Sequence, residues 1–217
     1  MLLSNKVNVK VKLEGGATMP SQGYDNDVAF DLYTSEDAII CPDAVGATLI
    51  PTGLRTEFDP TKFGLFISPR SSIMNLPLTL ANNTGIVEGT YRGGIGIPLK
   101  NTLSMTGFSD FALTWNPDKK VVERIPVEKL PTGKLRSAEK MFYTDQALLY
   151  DNTLPEELAD QLFVTLVPTG TFFLPKGFRI MQAYLLPKYH LDLEKTDKLS
   201  DSPRGDKGFG SSGHGGK

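Results

Sequence analysis

The sequence is poor in the residues from which proteins build disulfide frameworks and transition-metal centres. Its 217 residues include one cysteine, Cys41, and two histidines, His190 and His214. A single cysteine excludes a disulfide within the chain and a cysteine-based zinc site, and two histidines supply few ligands for a transition metal. Neither histidine lies in the sequence context of a nucleophile elbow, which argues against a serine hydrolase.

The chain also lacks a charge excess and a long apolar run. Its formal net charge at pH 7 is −2, with lysine and arginine scattered along the sequence, so the basic stripe that binds duplex nucleic acid is missing. No run approaches a length of about eighteen apolar residues, which a membrane helix needs. Residues 1–16 change early into alternating lysine and apolar residues and lack the apolar core of a signal peptide. We expect no nucleic-acid partner, no membrane association and a cytoplasmic location, the host cytoplasm if the chain is viral.

Short β-rich runs dominate the first half of the chain. Residues 6–13 alternate strictly between polar and apolar side chains, which predicts a strand. Further runs recur at intervals of about ten residues, separated by turn residues such as Pro51-Thr52-Gly53; they are residues 38–41, 47–51, 54–58 and 64–68. In a chain of this length with 40% hydrophobic residues, the pattern predicts one all-β domain, a sandwich or a barrel, with or without an insertion.

Residues 69–94 concentrate polar side chains in a segment that glycine and proline interrupt. The first part, Pro69-Arg70-Ser71-Ser72, offers a guanidinium fork and hydroxyl donors, which suit phosphate oxygens because charge-assisted hydrogen bonds are short and strong. A surface loop without a ligand is the alternative for these four residues taken alone. The second part, residues 82–94, has the Asn and Gly turn residues of a β-hairpin. Glu88 and Tyr91 would both face one ligand at a turn, but opposite sides in a regular strand.

Five segments, in this order, resemble the five motifs of the homotrimeric dUTP pyrophosphatases, the dUTPase family. They are Val28-Ala29-Phe30-Asp31-Leu32, Pro69-Arg70-Ser71-Ser72, Asn82 with residues 85–93, Gly177-Phe178-Arg179-Ile180-Met181-Gln182, and residues 204–213. The sequence departs from the family pattern at Ala29, where Gly is usual, and at Phe178 and Met181. A further departure is Glu88, which stands where the family has its catalytic Asp. Five motifs in the family's order, at both ends of the chain, leave little room for coincidence.

The resemblance implies an all-β jelly-roll barrel that assembles as a homotrimer. It also implies hydrolysis of dUTP to dUMP and pyrophosphate with Mg²⁺ as cofactor, an activity that limits uracil incorporation into DNA and supplies dUMP. In this reaction water attacks the α-phosphorus in line with Glu88 as the base, while Arg70 and Gln182 stabilise charge on the triphosphate. Asp31 would lie near the Mg²⁺ and contact it through water.

A set of substrate-binding residues follows from the same resemblance. Asn82 and the backbone around Gly85 would read the uracil edge, and Tyr91 would pack beneath the deoxyribose. The glycine-rich end would cradle the phosphates with backbone N–H groups and hydroxyls, although its composition alone is that of a flexible linker. The full set is Ser71, Ser72, Asn82, Gly85, Tyr91, Arg204, Phe209, Gly210, Ser211 and Ser212.

The spacing between the third and fourth motifs is far longer than in an ordinary dUTPase, as in phage enzymes of the family that carry an insertion here. We expect one barrel domain over residues 1–200, a small inserted subdomain at 102–167, and a flexible arm over 201–217 that closes over the active site. The insertion holds the best helix signal of the chain, residues 153–162, which begin with a capping box. It is either a surface subdomain or a docking element for a protein partner. Because every matched motif lies outside residues 105–165, we expect it to be dispensable for chemistry.

Two other functions stay open beside dUTP hydrolysis. A dCTP deaminase shares the fold but needs a catalytic glutamate on the strand after the third motif, where this chain has Lys100. A regulatory protein that uses the dUTPase fold and the insertion to hold a partner, with weak or no catalysis, is favoured only by Glu88 in place of Asp.

Overall fold

The computed structural model of the chain describes residues 6–42, 46–130, 167–203 and 205–206. Within these ranges the chain is almost entirely β-structure, with fourteen strands and two short 3₁₀ helices, Ser71–Asn75 and Val127–Lys129. The strands are β1 Lys10–Leu13, β2 Phe30–Tyr33, β3 Ala38–Ile40, β4 Thr48–Glu57, β5 Phe63–Pro69, β6 Leu78–Leu80, β7 Gly85–Val87, β8 Ile95–Asn101, β9 Phe108–Ser109, β10 Phe111–Asn116, β11 Val121–Pro126, β12 Val167–Pro168, β13 Phe172–Leu174 and β14 Arg179–Pro187. The predicted all-β class is confirmed.

Three four-stranded sheets and one strand pair make up the barrel. The sheets have the orders β1-β4-β8-β6, β11-β10-β13-β3 and β2-β14-β5-β7, and β12 pairs with β9. All of these pairs are antiparallel except β10 with β13, which run parallel. Strands distant in sequence lie side by side, as β14 does between β2 and β5, which is typical of a jelly roll.

The sheets enclose one large apolar core and a smaller one. Alternate residues of β4 are buried, so one face of this strand points inward, as a period of two requires. The large core has its most deeply buried side chains at Ile50, Leu54, Ile97, Leu99 and Phe172. The smaller core joins β3, β10 and β13 through Ile39, Cys41, Ala112, Val127, Leu130, Val167 and Phe173. Removing this apolar surface from water is the main favourable contribution to folding.

β4 is a single strand of ten residues, and the prediction of two strands separated by Pro51-Thr52-Gly53 is wrong. The chain passes this point through an irregularity in the pairing with β8, between Pro51 and Leu54. Gly53 has a φ of 65°, and the Thr52 hydroxyl donates to the Ile95 carbonyl oxygen at 2.6 Å. The turn residues make a bulge, because neighbouring strands hold the chain extended on both sides.

The alternating segment at residues 6–13 pairs over only half of its length. β1 begins at Lys10, which lies opposite Glu57, the last residue of β4. Residues 6–9 therefore extend past the end of their neighbour. Val11 packs against the large core, whereas Val7 is exposed. The predicted element type is confirmed, and its predicted extent is wrong.

The β-hairpin predicted at residues 82–94 is wrong as well. β7 pairs with β5, whereas β8 pairs with β4 and β6, so the segment crosses from one sheet to another. Its turn residues form two separate features. Asn83 has a φ of 57°, and the Tyr91 N–H donates to the Glu88 carbonyl oxygen at 2.9 Å. Tertiary pairing decides this outcome, since each flanking strand already has a partner in its own sheet.

Residues 102–130, within the predicted insertion, pack against the barrel. β10 and β11 form an antiparallel hairpin, and β10 lies beside β13. Ala112, Val127 and Leu130 pack into the smaller core. The predicted helix at 153–162 lies outside the described residues. The helices within the described ranges are too short to cross a bilayer.

Candidate active site

Neighbouring strands bring the first, second and fourth motifs together. β14 lies between β2 and β5, so Gln182 is opposite Asp31 on one side and Ser68 on the other. Arg70 follows directly after the end of β5. Because directly opposed residues in a sheet lie about 5 Å apart, three segments that are distant in sequence form one cluster.

Asp31 holds the charged side chains of this cluster in place. Arg70 Nε donates to Asp31 Oδ1 at 2.7 Å, and Arg179 Nη1 lies 3.5 Å from Asp31 Oδ2. Arg70 Nη1 also donates to Ser72 Oγ at 3.2 Å. The side chains of Arg70 and Asp31 are only 24% and 15% exposed, so their attraction is less screened than that of a surface pair. The guanidinium group is thus oriented before any ligand arrives.

Gln182 ties β14 to the end of β5 just before Arg70. Its Nε2 donates to the Pro69 carbonyl oxygen at 3.1 Å and lies 3.4 Å from Ser68 Oγ. The side-chain carbonyl oxygen accepts no hydrogen bond from the part of the chain that the structure describes. It is therefore available to a water molecule or a ligand.

These side chains line a cavity of about 620 Å³, which we call the phosphate cavity and whose size is typical of small-molecule sites. Its lining consists of Gly23, Tyr24, Asp27, Val28, Ala29, Asp31, Arg70, Ser71, Arg179, Gln182 and Tyr184. Two guanidinium groups, a hydroxyl and an amide are the groups that bind phosphate oxygens well.

Four polar lining residues have no role predicted from the sequence: Tyr24, Asp27, Arg179 and Tyr184. Arg179 could have been predicted from the sequence, because it stands in the fourth motif. Tyr24 and Asp27 lie in the loop before the first motif, where the Tyr24 N–H donates to Asp27 Oδ2 at 2.9 Å. No sequence pattern marked that loop as part of a site.

The third motif forms a separate site region, the Glu88 turn, which comprises residues 86–96. It lines a cavity of about 560 Å³ that includes Glu88 and Tyr91. Arg92 Nη1 donates to the carbonyl oxygens of Gly89 and Tyr91 at 2.7 and 2.8 Å, and the Tyr91 hydroxyl donates to the Gly94 carbonyl oxygen at 3.1 Å. These bonds fix the backbone that carries the Glu88 carboxylate.

Gly89 anchors this turn against the barrel. A Cβ atom at this position would lie 2.6 Å from Pro60 Cα and 2.8 Å from Pro60 Cβ, distances that real Cβ atoms essentially never show. Only glycine allows the chain to approach so closely. The position of Glu88, the preceding residue, is therefore set by this backbone contact.

The two site regions of one chain are far apart. Val87 lies opposite Leu65 of β5, so Glu88 lies level with Gly64, at the far end of the strand from Arg70. Since a strand rises about 3.3 Å per residue, Glu88 and Arg70 are about 20 Å apart along β5. One copy of the chain does not bring the predicted base to the phosphate cavity.

The other predicted substrate-binding residues are placed only in part. Gly85 pairs with Ile67 of β5, and Asn82 is exposed just before β7; neither is among the residues that line the two cavities. Ser72 supports Arg70 instead of lining the phosphate cavity. The arm residues fall outside the described ranges, and the arm's closure stays a prediction; they are Arg204, Phe209, Gly210, Ser211 and Ser212.

The donor set does not form a complete metal cage. Within the described ranges, no three His, Cys, Asp or Glu side chains converge to hold an ion, and both Asp31 oxygens face arginines. Mg²⁺ usually keeps several waters and binds one or two carboxylates plus substrate phosphates. With its carboxylate paired to two arginines, Asp31 could contact a cation that arrives with a polyphosphate only through water, and this contact stays a prediction.

A jelly-roll barrel with an arginine-rich cavity where three strands meet defines a class of β-barrel proteins with a site for a phosphorylated ligand. A family model described as dUTPase matches residues 16–106, which contain the first three motifs. Over this range the chain is similar to the dUTPase family.

Curated relatives extend this similarity along the chain. The chain is 26% identical to a deoxyuridine 5'-triphosphate nucleotidohydrolase of Picosynechococcus over 94% of its own length and 96% of that protein. A protein of the same name from Clostridium tetani is 27% identical over the same shares of both chains. The protein of that name from Alkaliphilus metalliredigens is 35% identical, over 43% of this chain and 65% of its own.

Solved structures share the fold. The dUTPase of Staphylococcus bacteriophage 80alpha, solved with dUpNHpp, superposes with a TM-score of 0.67 at 23% identity and covers 95% of this chain and 98% of its own. Another phage dUTPase, from phage phi11 of S. aureus, superposes with a TM-score of 0.60 at 16% identity, over 89% of this chain and 99% of its own. The predicted jelly roll is confirmed by these similarities.

Proposed function

We propose that the protein hydrolyses dUTP to dUMP and pyrophosphate. The observation that carries this proposal is the cluster of Asp31, Arg70 and Gln182, in which three motifs of the family meet on adjacent strands. The names of the curated relatives point to the same reaction. On β8, the place where a dCTP deaminase would need a carboxylate holds Lys100, opposite Thr79, which disfavours deamination.

The roles of the residues follow from their chemistry. Arg70, held by Asp31, binds phosphate oxygens and stabilises the charge that develops on them. Gln182 offers its free side-chain oxygen to the attacking water or its amide to a phosphate. Glu88 accepts the proton of that water, which requires a distance of about 3 Å between carboxylate and water. When Mg²⁺ is bound, it neutralises charge on the triphosphate and orients it, and the phi11 enzyme's structure includes a structural Mg(II) ion.

The site is completed by a second copy of the chain in a homotrimer. A separation of about 20 Å along β5 is far too long for one chain to supply both Glu88 and Arg70 to one substrate. A symmetric trimer can place the Glu88 turn of one subunit over the phosphate cavity of the next. The exposed apolar side chains of Tyr189, Leu191 and Leu193, which alternate beyond β14, are also of the kind that a neighbouring subunit covers.

The glycine-rich arm completes the proposal. Ordering about ten residues from Arg204 onward costs on the order of 10 kcal/mol. Charge-assisted bonds to a triphosphate and stacking of Phe209 on uracil roughly offset this cost. We therefore expect the arm to close over dUTP and to stay loose over dUMP.

The direct test offers purified protein and Mg²⁺ to dUTP, dCTP, dTTP and UTP in separate reactions. We expect pyrophosphate and the monophosphate to be released rapidly from dUTP only. Uracil as the product base from dCTP would indicate deamination. Absence of turnover with all four nucleotides, in a protein that light scattering shows to be a trimer, would contradict the proposed activity.

A further inference from the structure

A second cavity adjoins the phosphate cavity and is walled in part by the insertion. It has a volume of about 630 Å³, and we call it the insertion cavity. Arg70, Ser71 and Arg179 line both cavities, so the two meet at these side chains. The opposite wall is the tip of the β10–β11 hairpin, which contributes Trp115, Pro117, Asp118 and Lys120.

The hairpin tip is fixed in place relative to the barrel. β10 pairs in parallel with β13, and the Trp115 side chain packs against the large core. At the tip, Asn116 Oδ1 accepts hydrogen bonds from the backbone N–H groups of Asp118 and Lys119, both at 3.1 Å, which stabilises the turn. A site built on such a rigid element needs little ordering when a ligand binds.

Two neighbouring lysines of this tip have different surroundings. Lys119 Nζ donates to Glu123 at 2.8 Å and is not among the lining residues. Lys120 lines the insertion cavity. Its backbone has a φ of 54°, a left-handed conformation that changes the direction of the chain between the two lysines. Within the described ranges its ammonium group makes no ion pair, so its charge is available to a ligand.

We propose that Lys120 is a substrate-binding residue of this enzyme, and that it holds the outer end of the triphosphate together with Arg179. The proposal rests on the proposed function, in which Arg70 and Gln182 hold the phosphates nearest the scissile bond. The remaining phosphates then extend past Arg70 into the insertion cavity. Asp118 on the same wall weakens anion binding, but Arg70, Arg179 and Lys120 give this lining an excess of positive charge, which favours a highly charged pyrophosphate group over a single phosphate.

One consequence contradicts an expectation from the motifs. Because all five motifs lie outside residues 105–165, the sequence predicts that the insertion is dispensable for chemistry. If Lys120 binds the substrate, the β10–β11 hairpin, residues 111–126, is part of the substrate site. The insertion then determines how strongly the enzyme prefers a triphosphate to the monophosphate product.

The chain contains its own reporter for this cavity, because Trp115 is its only tryptophan. The experiment follows Trp115 emission in the full-length protein during titration with inorganic pyrophosphate, and separately with dUMP. We expect a saturable change with pyrophosphate and little change with dUMP. In Lys120→Gln the dissociation constant for pyrophosphate should rise about tenfold, since a charge-assisted bond is lost. Lys120→Arg should restore binding.

Lys119→Gln is the matched control, with the same loss of charge one residue away. The dissociation constant of Lys119→Gln for pyrophosphate should rise by less than about twofold, since Lys119 does not line the cavity and its charge affects the ligand only at a distance, screened by salt. Asp118→Asn should shift binding in the opposite direction, toward tighter binding. Position 120, where φ is 54°, carries a side chain with a Cβ in both lysine variants, so the backbone strain at this position is the same in both.

Equal shifts for Lys120→Gln and Lys119→Gln, or a Trp115 signal that does not respond to pyrophosphate, would overturn the role of Lys120. Turnover of dUTP by the parent protein separates this outcome from a failure of the proposed function. If dUTP is hydrolysed and Lys120→Gln binds pyrophosphate like the parent, only the inference is wrong. If dUTP is not hydrolysed but pyrophosphate binding depends on Lys120, the anion site stands and the proposed function is wrong.

Discussion

The phosphate cavity, which carries Asp31, Arg70 and Gln182, and the Glu88 turn are held in place in opposite ways. At the phosphate cavity the side chains themselves are fixed, since Arg70 is half-buried and bonded to Asp31 at 2.7 Å. At the Glu88 turn the backbone is fixed by Arg92 and by the close approach of Gly89 to Pro60. The Glu88 side chain is exposed there and makes no hydrogen bond within the described ranges.

This difference matches the task of each region. A group that stabilises charge must be oriented before the substrate arrives, because reorganisation during the reaction reduces its effect. In the proposed mechanism the base acts on a substrate held by another subunit, so it must project from the surface and still be accurately placed. A rigid backbone under a free side chain meets both conditions.

The largest expected effect comes from removing the base. Glu88→Gln keeps the size of the side chain and removes its ability to accept a proton, so we expect turnover of dUTP to fall by a factor on the order of 10³ or more. Binding of a non-hydrolysable dUTP analogue, measured by calorimetry, should persist. If Glu88→Gln hydrolyses dUTP at the parent rate, Glu88 is not the base.

A smaller effect should follow from moving the base without changing it. Gly89→Ala forces the turn away from Pro60, and a misplacement of about 1 Å costs on the order of a hundredfold in rate. Gly94→Ala is the matched control in the same turn, since a Cβ at that position meets nothing within 4 Å. We expect Gly94→Ala to retain the parent kcat in a steady-state assay. Similar losses in both variants would show that the turn is generally intolerant and that the Gly89 contact has no special role.

The smallest of these effects is expected at the phosphate cavity. Asp31→Asn leaves the shape of the cluster intact but replaces the ion pair with Arg70 by a weaker bond from Arg70 to an uncharged oxygen, so kcat/KM should fall by about tenfold. Asp110→Asn removes the same charge from an exposed position outside the cavities and should leave kcat/KM unchanged. A parent-like Asp31→Asn would mean that Arg70 is oriented by Ser72 and the backbone instead.

Local sequence patterns predicted the features of the structure that depend mainly on residues close together in the chain. The strands at 38–41 and 64–68 were visible as β-rich runs, and Asp31, Arg70 and Gln182 were visible through their motifs. The continuity of β4 through Pro51 was not, because neighbouring strands override the turn preference of Pro-Thr-Gly at that bulge.

The insertion cavity was beyond the reach of local patterns for a similar reason. Trp115 and Lys120 are distant in sequence from every motif, and only the parallel pairing of β10 with β13 brings them to Arg70. The separation of Glu88 from Arg70 is also a property of strand register. A one-dimensional list of motifs does not show which of them one chain can bring together.

Complementation between two inactive variants tests the shared site most directly. Glu88→Gln disables the turn, and Arg70→Met disables the phosphate cavity, so each homotrimer should be nearly inactive. When the two chains are unfolded together and refolded as mixed trimers, about a quarter of the sites should combine an intact Glu88 with an intact Arg70, because the two come from different subunits. Recovery of about a quarter of the parent activity is the expected result. Activity of the mixture no greater than that of the separate variants would show that one chain supplies both residues, which contradicts a site shared between subunits.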